Sequence, residues 1–366
     1  KMNKINRTYE SLLIHILNNG YDYEDPNRKG VKRREVLNYT FRHEFKDGFP
    51  AITTKKLNYK SVVTELIWFL RSNTNIKYLV DNGCNIWNKD AYNYFKSYLS
   101  DEWHSLKSLT IEQFVDAIKN NETKYNFENY KLGDLGNIYG AQWRNWRVGE
   151  SIETSMKYPE GDNVLIASSK YLDQISNLIK NLKEKPLGTQ HIVNAWNVGE
   201  LDSMALQPCH YGFQIVVRPL EAYTGHIVDF GNEMFSKDTE VWGSNSYGFE
   251  LHWQQRSVDT FLGLPFNIAS YATLALILEK ITGYKALAIQ GDLKKVHLYD
   301  NSFDAVIEQL SRDVDKYSCG VFDFPAFDEF EWETLDELFH KIQPEDITLE
   351  GYESYPGIKV EMLERK

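Results

Sequence analysis

Apolar residues recur at helical spacing at Tyr9, Leu12, Leu13 and Ile16, and the run stops at Asn18-Asn19-Gly20, a helix-ending signal. A polar, basic stretch from Asp25 to Arg34 reads as a loop, and Val36 to Phe45 alternates as a strand does. Lys60 to Leu70 is a strongly apolar helix with one carboxylate, Glu65, in its middle. Thr110-Ile111-Glu112-Gln113 forms a capping box for a short helix carrying Phe114, Val115 and Ile118. Leu172, Ile175, Leu178, Ile179 and Leu182 mark an amphipathic helix stopped by Pro186. Ile192 to Trp196 and Tyr211 to Val217 read as buried strands, and Phe249 to Trp253 as another. Phe266 to Ile281 predicts a long buried helix closed by Gly283, followed by separate strands at Ala286 to Gln290 and Val296 to Tyr299. Residues 88–130, rich in Tyr, Lys, Asn and Ser, and residues 219–248, Gly- and acid-containing, read as insertions. No repeat or Pro/Gly linker divides the chain. The expectation is one mixed α+β domain over residues 1–366 carrying both insertions.

Composition narrows the class. The 366 residues are 42% hydrophobic and 14% aromatic, enough for a large core. The formal net charge is -11 and no Lys/Arg block appears, so polymeric nucleic acid is not an expected partner. No apolar run approaches the ~20 residues of a membrane span, and Lys1 to Tyr9 lacks a signal peptide's apolar region. The three cysteines, Cys84, Cys209 and Cys319, make neither a CxxC pair nor a zinc site, so no metal and a reducing cytoplasm are expected.

One of these cysteines stands in a chemically suggestive setting. Cys209 lies in Gln207-Pro208-Cys209-His210, at the start of a strand-like segment. Free cysteine is most often a small buried hydrophobe. A nearby cation would lower its pKa and make it a nucleophile, and Arg256, in Gln255-Arg256-Ser257-Val258-Asp259, is the candidate. Asn267 at the start of the long apolar helix adds an amide able to read a pyrimidine edge.

These segments resemble the thymidylate synthase family, which includes the deoxynucleotide hydroxymethylases acting on dUMP or dCMP. The resemblance runs nearly end to end. It covers Asp47 to Lys56, Glu65 to Leu70, Asn85-Ile86-Trp87, Gly133 to Gly140 and Ala195 to Asp202. It continues through the Cys209 and Arg256 segments, Pro265 to Tyr271, His297-Leu298-Tyr299 and Tyr355 to Lys359. It implies a large mixed sheet packed with helices, one sheet face forming a homodimer interface. It also implies one-carbon transfer from 5,10-methylenetetrahydrofolate to C5 of dUMP. By motif, Cys209 attacks C6, Glu65 organises proton transfer, Tyr139 helps remove the C5 proton, and Asn267 reads uracil, where an Asp would suit cytosine. Gln255 falls among the substrate contacts; Arg28, Arg256 and Ser257 hold the phosphate, and His297 and Tyr299 the ribose. Asp259 meets the folate pterin, while Ile86, Trp87, Leu206, Gly263 and Phe266 wall the folate site. His210 lies behind the reacting groups with no chemical step of its own.

Two departures bear on the product. Where the family carries a cross-subunit arginine pair for the phosphate, this chain reads Gly188-Thr189-Gln190. Losing two unreplaced charge-assisted contacts would cost about 1.5–3 kcal/mol each. Lys185, Arg144 or a basic residue of the 219–248 insertion could substitute. The family's apolar C-terminal lid matches Ile358 to Met362, but the chain continues through Leu363-Glu364-Arg365-Lys366. A lid that admits water gives a hydroxymethyl group instead of a methyl group. The product expected is therefore 5-hydroxymethyl-dUMP, from a branch known for modified bases, often of viral DNA. The alternatives are dTMP with dihydrofolate, and a non-catalytic nucleotide-binding relative.

Overall fold

The computed structural model describes residues 3–99, 104–127, 129–157, 163–220 and 247–360. In chain order its elements are α1 (Lys4–Asn19), β1 (Tyr21–Glu24), β2 (Lys32–Glu44), α2 (Tyr59–Leu70), α3 (Lys77–Asp81), α4 (Asn88–Ser97), α5 (His104–Lys107), α6 (Ile111–Lys119) and α7 (Tyr139–Arg144). There follow β3 (Trp146–Lys157), β4 (Asn163–Leu172), α8 (Gln174–Glu184), β5 (Ile192–Asn194), β6 (His210–Pro219), β7 (Tyr247–Gln255), β8 (Val258–Asp259) and α9 (Leu264–Thr282). β9 (Lys285–Tyr299), α10 (Phe303–Leu310), β10 (Cys319–Asp323), α11 (Leu335–Lys341) and β11 (Thr348–Tyr352) complete the series.

The main sheet runs β1-β2-β9-β7-β6-β5, with β8 on the same edge of β9 as β7. β7 and β8 run parallel to β9, and the other pairings are antiparallel, so the sheet is mixed. Its inner face carries Phe41, Phe213, Ile215, Phe249, Leu251, Trp253 and Leu293, all buried, with α1 and α9 packed on the sheet and α2 packed on α9. Trp253 lies directly against Gly291, where an added Cβ would come within 2.5 Å of the indole. The large ring fits because its cross-strand partner has no side chain. The outer face is mixed: Ile192 is 56% exposed and Val216 43% exposed, beside Gln214, His252, Gln254 and the ion pair of Arg42 with Glu250.

Local sequence explains the main helices. Asn3 caps α1 by accepting from the Asn6 amide, Asn58 caps α2 by accepting from Ser61, and the Thr110–Gln113 capping box opens α6. α9 begins behind Gly263 with Pro265 in its first turn and stops at Gly283, which adopts φ +75°. By length and composition α9 could cross a membrane, but 67% of its 18-residue apolar window is buried inside the fold. An all-round apolar helix is what the middle layer of a large domain requires.

Four sequence expectations change. The loop read from Asp25 to Arg34 ends at Val31, because Lys32–Arg34 already pair with Glu24–Asp22 in the β1–β2 hairpin. Leu172 ends β4 instead of opening a helix; the amphipathic helix starts after Asp173, whose carboxylate caps it. The strand at Ile192 stops at Asn194 and exposes Ile192, since it forms the sheet edge. The two strands expected at 286–299 are one, β9, which stays paired with β2 through the polar stretch Asp292–Lys295. Most of the 219–248 segment, and everything after Val360, lies outside the described residues. Residues 88–130 include α4 and α6, whose Phe95 and Phe114 join the core.

Candidate active site

The chemistry gathers where β7 breaks. β7 pairs with β9 up to Gln255↔Leu293, and β8 resumes the same edge at Val258↔Val296. Arg256 and Ser257 bulge between them, half-buried. The Arg256 amide donates to the Cys209 carbonyl at 2.9 Å. Its Nε donates to the Pro208 carbonyl at 2.8 Å and its Nη2 to the Gln207 carbonyl at 3.2 Å, with the guanidinium carbon 5.3 Å from the Trp196 ring centre. Arg256 thus clamps the backbone leading into Cys209. The Cys209 amide in turn donates to the Tyr139 hydroxyl at 2.8 Å. The thiol-bearing residue is fixed from both sides and remains half-buried.

Tyr139 opens α7 and is fully buried; burial pushes its phenol well above the ordinary value, so it stays neutral. Because its oxygen accepts from the Cys209 amide, its own proton can be donated elsewhere. The ring stacks on His210 at 4.3 Å. His210 Nδ1 lies 2.7 Å from the Tyr271 hydroxyl, and burial lowers the imidazole pKa to about 3. His210 is therefore neutral and serves as a rigid backing for Tyr139.

Glu65 sits mid-way along α2 and is buried. Burial raises its pKa to about 7, partly opposed by the Trp87 indole, whose Nε1 donates to Oε1 at 2.6 Å. Trp87 also meets Tyr139 edge-on at 6.1 Å, so Glu65, Trp87, Tyr139 and Cys209 form one connected group. A carboxyl poised near neutrality can both give and take a proton.

Asn267, in the first turn of α9, is oriented by Gln255. The Gln255 Nε2 donates to Asn267 Oδ1 at 3.1 Å and to the Ser257 carbonyl at 3.2 Å, while the Trp253 Nε1 donates to Gln255 Oε1 at 3.2 Å. This chain of amides assigns the Asn267 oxygen and leaves it a second lone pair. Asp259 Oδ1 accepts from the amides of Phe261 and Leu262 at 3.2 and 3.1 Å, shaping the turn into α9; the Gly263 amide donates to the Asp259 carbonyl.

At the other end of β9, His297 Nδ1 donates to the Lys295 carbonyl at 2.7 Å, which directs its Nε2 away from the backbone. Arg28 Nη1 donates to the Tyr299 hydroxyl at 2.6 Å, and that hydroxyl donates to Asp25 at 3.3 Å. A cleft of about 220 Å³ lies between Ile52, Leu57, Leu262, Pro265, Phe266 and Ile358, with Lys55, Lys56 and Asn58 also lining it. Apolar walls with a cationic rim fit a flat aromatic ligand with an anionic tail. Lys55 is buried, lies over the Phe261 ring and donates to the Phe261 carbonyl; burial lowers its pKa to about 8. Ile86 and Leu206 pack half-buried against the core.

The structure does not support Arg144 as a replacement phosphate ligand. Its side chain is buried against Asp173 at 2.9 Å, over the Phe339 ring and on the Leu70 carbonyl. Lys185 is exposed at the end of α8, and Thr189 and Gln190 are exposed beside the sheet edge, with the Thr189 carbonyl accepting from Gln214 Nε2 at 3.1 Å. Sequence reading missed Asp25, the Tyr271 partner of His210, and Lys55. None offered a signal by residue type: Lys55 stands among Thr53, Thr54 and Lys56, and its burial comes from the fold.

Comparison with known families agrees with this geometry. The family model described as thymidylate synthase matches residues 7–364. The chain belongs to the thymidylate synthase family. It is accordingly a folate-dependent one-carbon transferase, of the class that transfers a methyl or hydroxymethyl unit to C5 of dUMP.

Proposed function

We propose that the reaction proceeds through a covalent bond from the Cys209 sulfur to C6 of dUMP, and that the product is 5-hydroxymethyl-dUMP. The observation that carries the covalent step is the connected group in which Arg256 and Tyr139 pin Cys209 while Glu65 is held near neutrality. Addition of the thiolate to C6 moves the ring electrons onto the C4 carbonyl oxygen, and C5 becomes nucleophilic. Asn267, oriented by Gln255, reads N3–H and O4 of uracil. Tyr139 and Glu65 supply and remove the protons at O4 and C5. 5,10-Methylenetetrahydrofolate supplies the one-carbon unit, and the residues that would hold it are Asp259, Gly263, Phe266, Trp87, Ile86 and Leu206. Loss of the C5 proton then breaks the bond from the new carbon to the folate nitrogen, which releases tetrahydrofolate and leaves an exocyclic methylene at C5. Water adds to that methylene and gives up a proton, and the ring electrons expel Cys209 from C6 as the thiolate, restoring the ring double bond.

The choice of water as the last nucleophile is supported by composition. Ile358 walls the cleft, but the residues after it interleave Lys359, Glu361, Glu364, Arg365 and Lys366, and charged side chains keep their water. Incubating the protein with dUMP and methylenetetrahydrofolate should give 5-hydroxymethyl-dUMP and tetrahydrofolate. Stoichiometric dTMP and dihydrofolate would assign the thymidylate-forming branch instead.

The protein acts as a homodimer in this reading, joined through the outer sheet face. What supports it is the exposed Ile192 and Val216 and a cleft of about 450 Å³ on that face bounded by Trp196, Tyr211 and Arg256. Sedimentation as a monomer at micromolar concentration would remove this part of the proposal.

A further inference from the structure

Beneath the sugar–phosphate residues lies a row of alternating charges. Asp25 and Glu35 have fully buried side chains. Arg33 bridges them, with Nη1 3.2 Å from Asp25 Oδ2 and Nη2 3.3 Å from Glu35 Oε2. The row continues outward from both carboxylates. Asp25 Oδ2 lies 3.5 Å from Arg28 Nη1 and accepts from the Tyr299 hydroxyl at 3.3 Å. Glu35 Oε1 accepts from Lys295 Nζ at 2.7 Å, and its other oxygen accepts from the Tyr23 hydroxyl at 2.7 Å.

The row leads to Arg28 and Tyr299 at one end and, through Lys295, to His297 at the other, the residues that the family resemblance assigns to the phosphate and the ribose. Lys295 adopts φ +52°, a left-handed conformation that costs a non-glycine residue about 1 kcal/mol or more. That kink turns its carbonyl onto His297 Nδ1 at 2.7 Å. The bond from Lys295 to Glu35 holds the kink in place. At the other end Asp25 also accepts from the Asn27 amide at 2.7 Å, closing the loop that carries Arg28. Buried ion networks give little net stability, because desolvation offsets the attraction. Their use is in fixing geometry.

We propose that Asp25, Arg33 and Glu35 are positioning residues that hold Arg28, Tyr299 and His297 for the sugar–phosphate end of the nucleotide without touching it. This rests on the reading of those three residues as nucleotide contacts. Arg33 keeps Asp25 neutralised when Arg28 turns to a phosphate, so Arg28 can exchange partners without stranding a buried carboxylate.

The test is a set of double-mutant cycles read by dUMP affinity and by KM and kcat. Asp25→Asn should raise the dUMP dissociation constant and KM about tenfold and leave kcat within twofold. In a background carrying both Arg28→Ala and Tyr299→Phe the same change should have less than a twofold effect. Glu35→Gln should behave likewise against His297→Ala. Deoxyuridine, which keeps the ribose but lacks the phosphate, should lose less affinity than dUMP on Asp25→Asn, because only the part carried by Tyr299 remains to be lost. A general loss of structure would instead carry through every background and lower kcat too. Arg33→Lys keeps a charge but cannot bridge both carboxylates, and should weaken dUMP binding several-fold with an unchanged far-UV spectrum; it serves if Asp25→Asn does not fold. Fold-changes that multiply across the cycles, or an unchanged dUMP affinity in Arg33→Lys, would overturn the proposal alone. A wild-type protein that does not bind dUMP would overturn the functional reading and this proposal together.

Discussion

Replacing Glu65 by Gln tests whether the buried carboxyl works as a poised acid. Burial lifts the Glu65 pKa from 4.5 to about 7. A carboxyl raised on folding stabilises the protein most below its unfolded pKa, and that contribution disappears as pH rises through the folded value. At about 1.36 kcal/mol per unit, the full effect is about 3 kcal/mol, of which about 2.5 kcal/mol falls between pH 5 and pH 8. Gln keeps an oxygen to accept from the Trp87 Nε1 but cannot ionise. Urea unfolding of both proteins at pH 5, 6.5 and 8 isolates this group, because other titrations cancel in the difference. Glu65→Gln should be more stable than wild type by a margin that grows by about 2.5 kcal/mol from pH 5 to pH 8. Its kcat should fall by roughly 10²–10⁴, the usual worth of a general acid–base. A stability difference that does not change with pH would refute a raised pKa, and an unchanged kcat would remove Glu65 from proton transfer.

Cys209→Ser should abolish turnover while dUMP binding, measured by calorimetry, stays within about tenfold, since a hydroxyl without a base is a poor nucleophile; substantial turnover would misassign the nucleophile. Asn267→Asp should shift kcat/KM from dUMP toward dCMP by roughly tenfold or more, because the Gln255 donor still suits a carboxylate at that position; an unchanged preference would place base reading elsewhere. Gly291→Ala should destabilise by about 1–3 kcal/mol in urea unfolding, since its Cβ would meet the Trp253 indole at 2.5 Å; a neutral result would show that the sheet can yield there.

Much of the scaffold was legible because local signals and burial agree. The capping box at Thr110, the Gly20 and Gly283 stops and the apolar run of α2 each specify an element without help from distant residues. β9 was read as two strands because Asp292, Lys294 and Lys295 interrupt its apolar pattern, and only pairing with β2 carries it across. The β3–β4 hairpin was not anticipated; its strands pair only with each other, apart from the main sheet. At the site, motif order brought attention to Cys209, Glu65, Tyr139 and Asn267. It could not show that Arg256 grips the Pro208 and Gln207 carbonyls, or that His210 is a neutral platform for Tyr139. Asp25 to Arg34 read as a polar, basic loop and Glu35 drew no attention, because hairpin pairing and not sequence spacing buries the carboxylates of Asp25 and Glu35.

The central claim is that Cys209 forms a covalent bond to C6 of a uracil nucleotide during one-carbon transfer. Intact-mass analysis of the protein with 5-fluoro-dUMP and methylenetetrahydrofolate, followed by peptide mapping, tests it most directly. The account predicts one stable adduct per chain on the peptide containing Cys209, absent in Cys209→Ser. Tight binding of 5-fluoro-dUMP with no covalent adduct, or an adduct on Cys84 or Cys319, would contradict it.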